Sequence, residues 1–183
     1  MSNEKERKAR RANAEASRQT ILGNAVVAGL IGGVVFAIAQ MIGAVSAGMG
    51  IGYTWQLFAS VLLGAAAFEQ ITAGVVLVGI GVHFVMAAVF GLIWGFVASG
   101  VPKGVRDNLG SHSAAAGIYG LLIWVVAFQL VARGFYPWFL EMNQLIQAIT
   151  HILFFGVPLG LYLAARLQYK EAIPIEREAP SRA

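Results

Sequence analysis

The chain has 183 residues, of which 58% are hydrophobic and only 12% charged, with a mean hydropathy of +0.71. Soluble domains run at roughly 45–50% apolar and ~25% charged residues, so this composition excludes an ordinary water-soluble fold. The absence of cysteine excludes disulfides, thiolate metal sites and cysteine nucleophiles, and the net charge of +4 sits beside apolar runs, where it sets topology rather than attracting nucleic acid.

The charges are segregated along the chain. No Asp, Glu, Lys or Arg lies between Arg18 and Glu69, between Glu69 and Lys103, or between Glu141 and Arg166. Since ~20 apolar residues cross the hydrocarbon of a bilayer, runs of this length read as membrane spans. The expected fold is an all-α membrane protein with four transmembrane helices.

Residues 1–20 carry six Lys/Arg against three Glu and read as a basic cytoplasmic head. The apolar run that follows is long and Gly-rich, without the short core and cleavage site of a signal peptide. The first span is predicted over 21–44, within a bundle covering 21–166. Its Gly29 and Gly33 form a GxxxG pair, a spacing that lets helix backbones approach closely, here expected within the chain rather than between copies.

After a glycine-rich connection, Trp55 to Phe68 forms an apolar piece that reaches only ~21 Å as a helix, short of a ~30 Å hydrocarbon core. If it does not cross, the basic head, the Lys103/Arg106 loop and the Arg166/Lys170 tail share one side, as the positive-inside rule prefers. A re-entrant or interfacial helix is therefore expected over 55–68, with both termini cytoplasmic.

The second span, 71–98, carries His83. The turn VPKGVRDNLGSH follows, rich in helix breakers, with His112 expected to be solvent-exposed at its end. The third span covers 113–132. The aromatic outer loop, Arg133 to Phe139, suits the headgroup level, and Arg133 and Glu141 flank it as a candidate pair. The fourth span covers 142–165, and 167–183 reads as a poorly ordered cytoplasmic tail.

The fourth span holds the main polar signal. Gln144, Gln147 and His151 fall within a ~60° sector of a helix, and such a stripe faces other helices or water rather than lipid. Gln40 and Gln129, with Glu69, Gln70 and Glu141, also lie toward the outer side by span counting. The candidate polar site is thus His83, His151, Gln147, Gln144, Gln40 and Gln129. An ionisable group within a membrane is a functional hypothesis by default. The two histidines admit four readings: packing through hydrogen bonds, proton or solute conduction from an outward-facing vestibule, a metal ion, or axial ligation of haem b. No cofactor is predicted outright, and His83 and His151 are the ligands if a metal binds. No phosphate loop, HExxH or GxSxG occurs, and no mid-span carboxylate serves a proton-coupled antiporter, so no enzymatic activity is expected.

A 2+2 internal repeat is also legible. Ala28–Ala39, AGLIGGVVFAIA, aligns with Ala116–Ala127, AGIYGLLIWVVA, and Phe90–Gly95, FGLIWG, with Phe155–Gly160, FGVPLG. Spans one and two would then correspond to spans three and four, related by an axis along the membrane normal.

The segments GLIGGVVFAIAQ, GVHFVMAAVFG, YPWFLEMN and ITHILFFG together resemble a widespread group of small, mostly uncharacterised bacterial membrane proteins similar to YagU. The resemblance covers about residues 22–166, with a shorter outer loop in this chain. It implies a four-span protein of the bacterial inner membrane, and it brings no settled activity or functional residues. The expected partners are the lipid bilayer and a second copy or a larger membrane complex. The functional expectation is an accessory or scaffold protein with packed histidines, against a small channel or carrier or a bis-histidine electron carrier.

Overall fold

The computed structural model describes residues 2–172, all helix and connecting turns. Four helices are long and apolar enough to cross a membrane: Glu4–Ser46, Ala73–Gly100, Leu109–Phe135 and Gln144–Gln168. Large apolar side chains stand exposed on their outer faces, among them Ile38, Val85, Leu130 and Leu153. Such a continuous apolar surface has its natural solvent in lipid tails.

Helix α1 (Ser2–Ser46) runs unbroken through the expected boundary between head and span. At 1.5 Å per residue it is ~67 Å long, over twice the hydrocarbon thickness, so the basic head is the protruding end of the first span. Arg18 closes that end by lying over the Phe96 ring, 5.4 Å from its centroid. Helix α2 (Gly52–Leu63) starts before the predicted piece and gives way at Gly64 to a 3₁₀ turn, Gly64–Phe68. Gly64 takes φ 62°, a left-handed conformation that ends the helix at little cost only because it lacks a Cβ.

Helix α3 (Ala73–Gly100) is capped by Thr72, whose Oγ1 accepts from the Val75 amide at 3.2 Å. A short turn, α4 (Lys103–Arg106), leads to α5, which spans Leu109–Phe135. Asn108 caps α5 by accepting from the Ser111 amide, so the helix begins four residues before the expected Ser113. Helix α6 starts at Gln144, capped by Asn143, and continues to Ala172. The expected tail is therefore helical over 167–172, and 173–183 lie outside the described residues. Two stretches widen to π-helix, Val125–Ala132 in α5 and His151–Gly156 in α6.

The spans pack in the order α3–α1–α6–α5. Two glycine seams set the closest approaches. A Cβ at Gly29 would lie 2.7 Å from the Gly91 Cα, and one at Gly95 2.7 Å from the Ala25 Cβ. A Cβ at Gly156 would lie 2.9 Å from the Gly117 Cα, and one at Gly160 2.7 Å from the Ser113 Cα. At both seams helix axes come together because no side chain stands between them. The Gly29/Gly33 ridge is thus spent within the chain: Gly33 faces Ala87, as Gly29 faces Gly91. Leu159 and Leu163, both fully buried, fill the centre beside Phe36, Trp94 and Phe155.

Candidate functional site

α3 and α5 stand at opposite ends of the packing order, and between them lies a cleft of about 670 Å³. α1 and α6 supply its floor through Phe36, His151 and Phe155. The Lys103 end is closed by side chains: Trp94 tilts against Tyr119 at 5.2 Å, and Tyr119 Oη donates to the Phe90 carbonyl at 2.9 Å. The Glu141 end is closed by α2 and the aromatic loop. There Tyr136 Oη donates to the Val61 carbonyl at 3.2 Å, and Trp138 Nε1 donates to Ser60 Oγ at 2.8 Å.

The six predicted polar residues divide into two sets. Gln40, Gln147, His83 and His151 all line the cleft. Gln40 and Gln147 face each other, Gln40 Nε2 to Gln147 Oε1 at 2.6 Å and Gln147 Nε2 to Gln40 Oε1 at 3.4 Å. This reciprocal pair ties α1 to α6 and satisfies the two amides against each other. Gln144 and Gln129 belong to the Glu141 end instead. Gln144 Nε2 donates to the Phe139 and Met142 carbonyls, both at 2.9 Å, and its Oε1 faces Gln129 Nε2 at 3.5 Å. Arg133 donates to Gln129 Oε1 at 2.8 Å, rather than pairing with Glu141 as the flanking positions suggested. Glu141 instead acts on Tyr53, whose phenol is pushed above its usual range, first by burial and then by that carboxylate.

Both histidine rings are 8% exposed. His83 Nε2 lies 2.8 Å from the Gly33 carbonyl of α1. His151 Nδ1 lies 2.8 Å from the Gln147 carbonyl, four residues back on its own helix. A carbonyl only accepts, so His83 carries its proton on Nε2 and His151 on Nδ1; the other nitrogen of each neutral ring is a lone pair. Phe36 touches both rings, stacked on His83 at 6.0 Å and edge-on to His151 at 4.7 Å. Phe58 stacks on His83 at 4.2 Å, and Phe128 meets His151 at 5.5 Å. The two π-helical stretches therefore meet at Phe128 and His151, where a widened turn re-aims side chains into the cleft.

His112 departs from the expectation of an exposed cap residue: it is 2% exposed. The early start of α5 turns it toward α3, where its Nε2 accepts from Trp94 Nε1 at 3.0 Å and its Nδ1–H donates to the Arg106 carbonyl. Thr54 was also missed. It is 1% exposed, lines the cleft, and its hydroxyl has no hydrogen-bond partner. Nothing in the local sequence marks it, because Thr in an apolar helix commonly bonds its own backbone.

Among the described residues no group of three or more His, Asp or Glu side chains converges as a metal site would require. Compared with known proteins, the chain matches no family model, no curated protein and no solved structure. The case for function therefore rests on the geometry of the cleft.

Proposed function

We propose that the chain is a non-enzymatic, multi-pass protein of the bacterial inner membrane, an accessory or scaffold protein whose intramembrane histidines are packing elements. The observation that carries this reading is the commitment of both rings. Each gives its N–H to a backbone carbonyl, and each is packed by Phe36 and a second aromatic ring. The Gln40–Gln147 pair is likewise closed on itself. The proposal places the head, the Lys103/Arg106 turn and the Arg166 end on the cytoplasmic side, as the positive-inside rule favours. α2 then belongs to the opposite side as a re-entrant helix. In support, Trp55 meets Gly79 and Phe58 meets His83, ~9–15 Å below the start of α3 by helical rise. The proposal includes the 2+2 repeat, supported by matching seams: Gly29 on Gly91 answers Gly117 on Gly156, and Ala25 on Gly95 answers Ser113 on Gly160. The likeness to YagU-like proteins, and assembly as a homodimer or within a larger membrane complex, belong to the same proposal.

The test is the optical spectrum of detergent-purified protein, expressed with ample haem, beside thermal melts of His83→Ala and His151→Ala. Featureless oxidised and reduced spectra with lowered melting in both variants are expected. A Soret band that disappears in both variants would overturn the reading in favour of bis-histidine haem. A second reading, a channel or carrier, draws on the gathering of Gln40, Gln147, His83 and His151 around one cavity. It predicts a proton or solute flux in proteoliposomes that His151→Ala removes.

A further inference from the structure

The cleft is poorly explained as packing alone. It runs beside α3 from Val82 to Val97, ~22 Å of helix and most of a hydrocarbon core. It also opens sideways. Met86, Ile93, Val97, Leu122 and Val126 line it while remaining 41–54% exposed. Its mouth therefore faces the lipid between α3 and α5. A cavity of about 670 Å³ falls within the ~300–1,000 Å³ of small-molecule sites.

The polar groups are gathered toward the Glu141 end, and three of them are unspent. Thr54 Oγ1 is buried without a partner. His83 Nδ1 and His151 Nε2 are left as lone pairs once their other nitrogens are bonded. A buried hydroxyl left unpaired is destabilising, so an occupant that supplies the missing partner has a reason to bind there. Two of the unspent groups accept only, so the occupant must donate; the third both donates and accepts. Among the described residues no Asp, Glu, Lys or Arg lines the cleft, so its described lining would not neutralise a phosphate or an ammonium.

We propose that this cleft is a binding site for an uncharged lipid with a hydroxyl-bearing head, seated with its head at Thr54, His83 and His151 and its apolar chain along α3 and α5 toward Val97. The chain enters sideways from the bilayer, and the head takes the unpaired polar groups found among the described residues that line the cleft. A long-chain alcohol and a lipid hydroquinone share this chemistry; a phospholipid does not. The site does not depend on whether the protein is a scaffold or a carrier.

The test uses the full chain in phosphatidylcholine nanodiscs and three diazirine lipids with the same chain: one ending in a free hydroxyl, one in a hydroquinone, one in phosphocholine. Saturable labelling of α3 and α5 by either of the first two, displaced by its unlabelled counterpart, is expected, and the stronger of the pair identifies the source of the head. The phosphocholine probe should label without saturation. Ala127→Trp, which places an indole in the cleft, should abolish saturable labelling. Thr54→Val keeps the side-chain shape and should weaken the hydroxyl-headed probes about tenfold while leaving the phosphocholine probe unchanged. If all three probes label wild-type protein alike and without saturation, the cleft holds only annular lipid and the proposal is overturned. If Thr54→Val binds as tightly as wild type, the assignment of the head is overturned. The wild-type comparison decides the first point even where a variant fails to fold.

Discussion

The crossing of α1 with α3 and the crossing of α5 with α6 are built on the same seam and finished differently. In each, a small residue and a glycine four residues apart on one helix meet two glycines four apart on the other. Around the first seam both helices are regular α-helix, and His83 fastens α3 to the Gly33 carbonyl of α1. At the second, α5 is still regular α-helix and widens only beyond it, at Val125–Ala132, whereas α6 widens over His151–Gly156 up to the seam itself, and His151 bonds back to its own helix. Within the cleft, α6 is tied to α1 by Gln147 on Gln40. Glycine thus sets how close a pair of helices comes, and the polar residues are then free to take different partners. The difference also explains the cleft: a wider, re-aimed α5 and α6 leave Phe128 and His151 facing a gap that α3 does not fill.

The largest effect should come from the seams. Gly91→Leu and Gly156→Leu each drive a branched side chain into the backbone of the facing helix, which has no flexible end to yield. Overpacking of a well-packed core costs typically 1–3 kcal/mol, and backbone-on-backbone sites belong at or above the top of that range. Detergent melts should show both variants unfolded or strongly destabilised. A mild effect at one seam only would break the equivalence of the two crossings.

Next in size is the glutamine pair. Gln147→Leu leaves the half-buried Gln40 amide without its partner and should cost about 1–2 kcal/mol in reversible unfolding. The double change Gln40→Leu with Gln147→Leu removes both partners and should recover much of that loss. Non-recovery would mean that the amides serve something besides each other. Smaller again is the contrast between histidines. His83→Phe keeps ring volume and loses a bond between helices, about 1 kcal/mol, whereas His151→Phe loses a bond within one helix and should cost less. The reverse order would show that the second crossing depends on His151 in a way its hydrogen bond does not explain.

The spans were legible because charge is excluded from hydrocarbon, and every charge-free run in the sequence holds an apolar helix. The inward face of α6 was legible too, since Gln147 and His151 repeat at helical spacing and both reach the cleft. Gln144 shares their stripe, yet it caps the loop carbonyls beside it; periodicity gives a direction and not a partner. His112 was misjudged because a polar run after breakers looks solvated, while its ring position is decided by Trp94, a residue on another helix. The cleft itself depends on the order α3–α1–α6–α5 and on two π-helical stretches, which no local pattern specifies. Thr54 becomes notable only once that cavity exists.

The smallest expected effect tests the Glu141 end, where α2 of the first half meets the aromatic loop of the second. Burial, and then the Glu141 carboxylate, raise the Tyr53 phenol above its usual pKa of 10.0. A raised folded-state value means that the folded chain holds the proton after the unfolded chain has lost it. The contribution is therefore fully present below about pH 10 and is lost as pH rises toward the folded-state value. Wild type and Tyr53→Phe should melt alike near neutrality, and wild type should lose more stability as the solution is made strongly alkaline. Glu141→Gln removes only the second cause, so it should narrow this gap without closing it. A gap that closes completely would mean that the carboxylate, and not burial under the loop, dominates at Tyr53. Parallel stability curves for wild type and Tyr53→Phe at every pH would mean that α2 and the loop do not shield this phenol, and that this end of the cleft stands open.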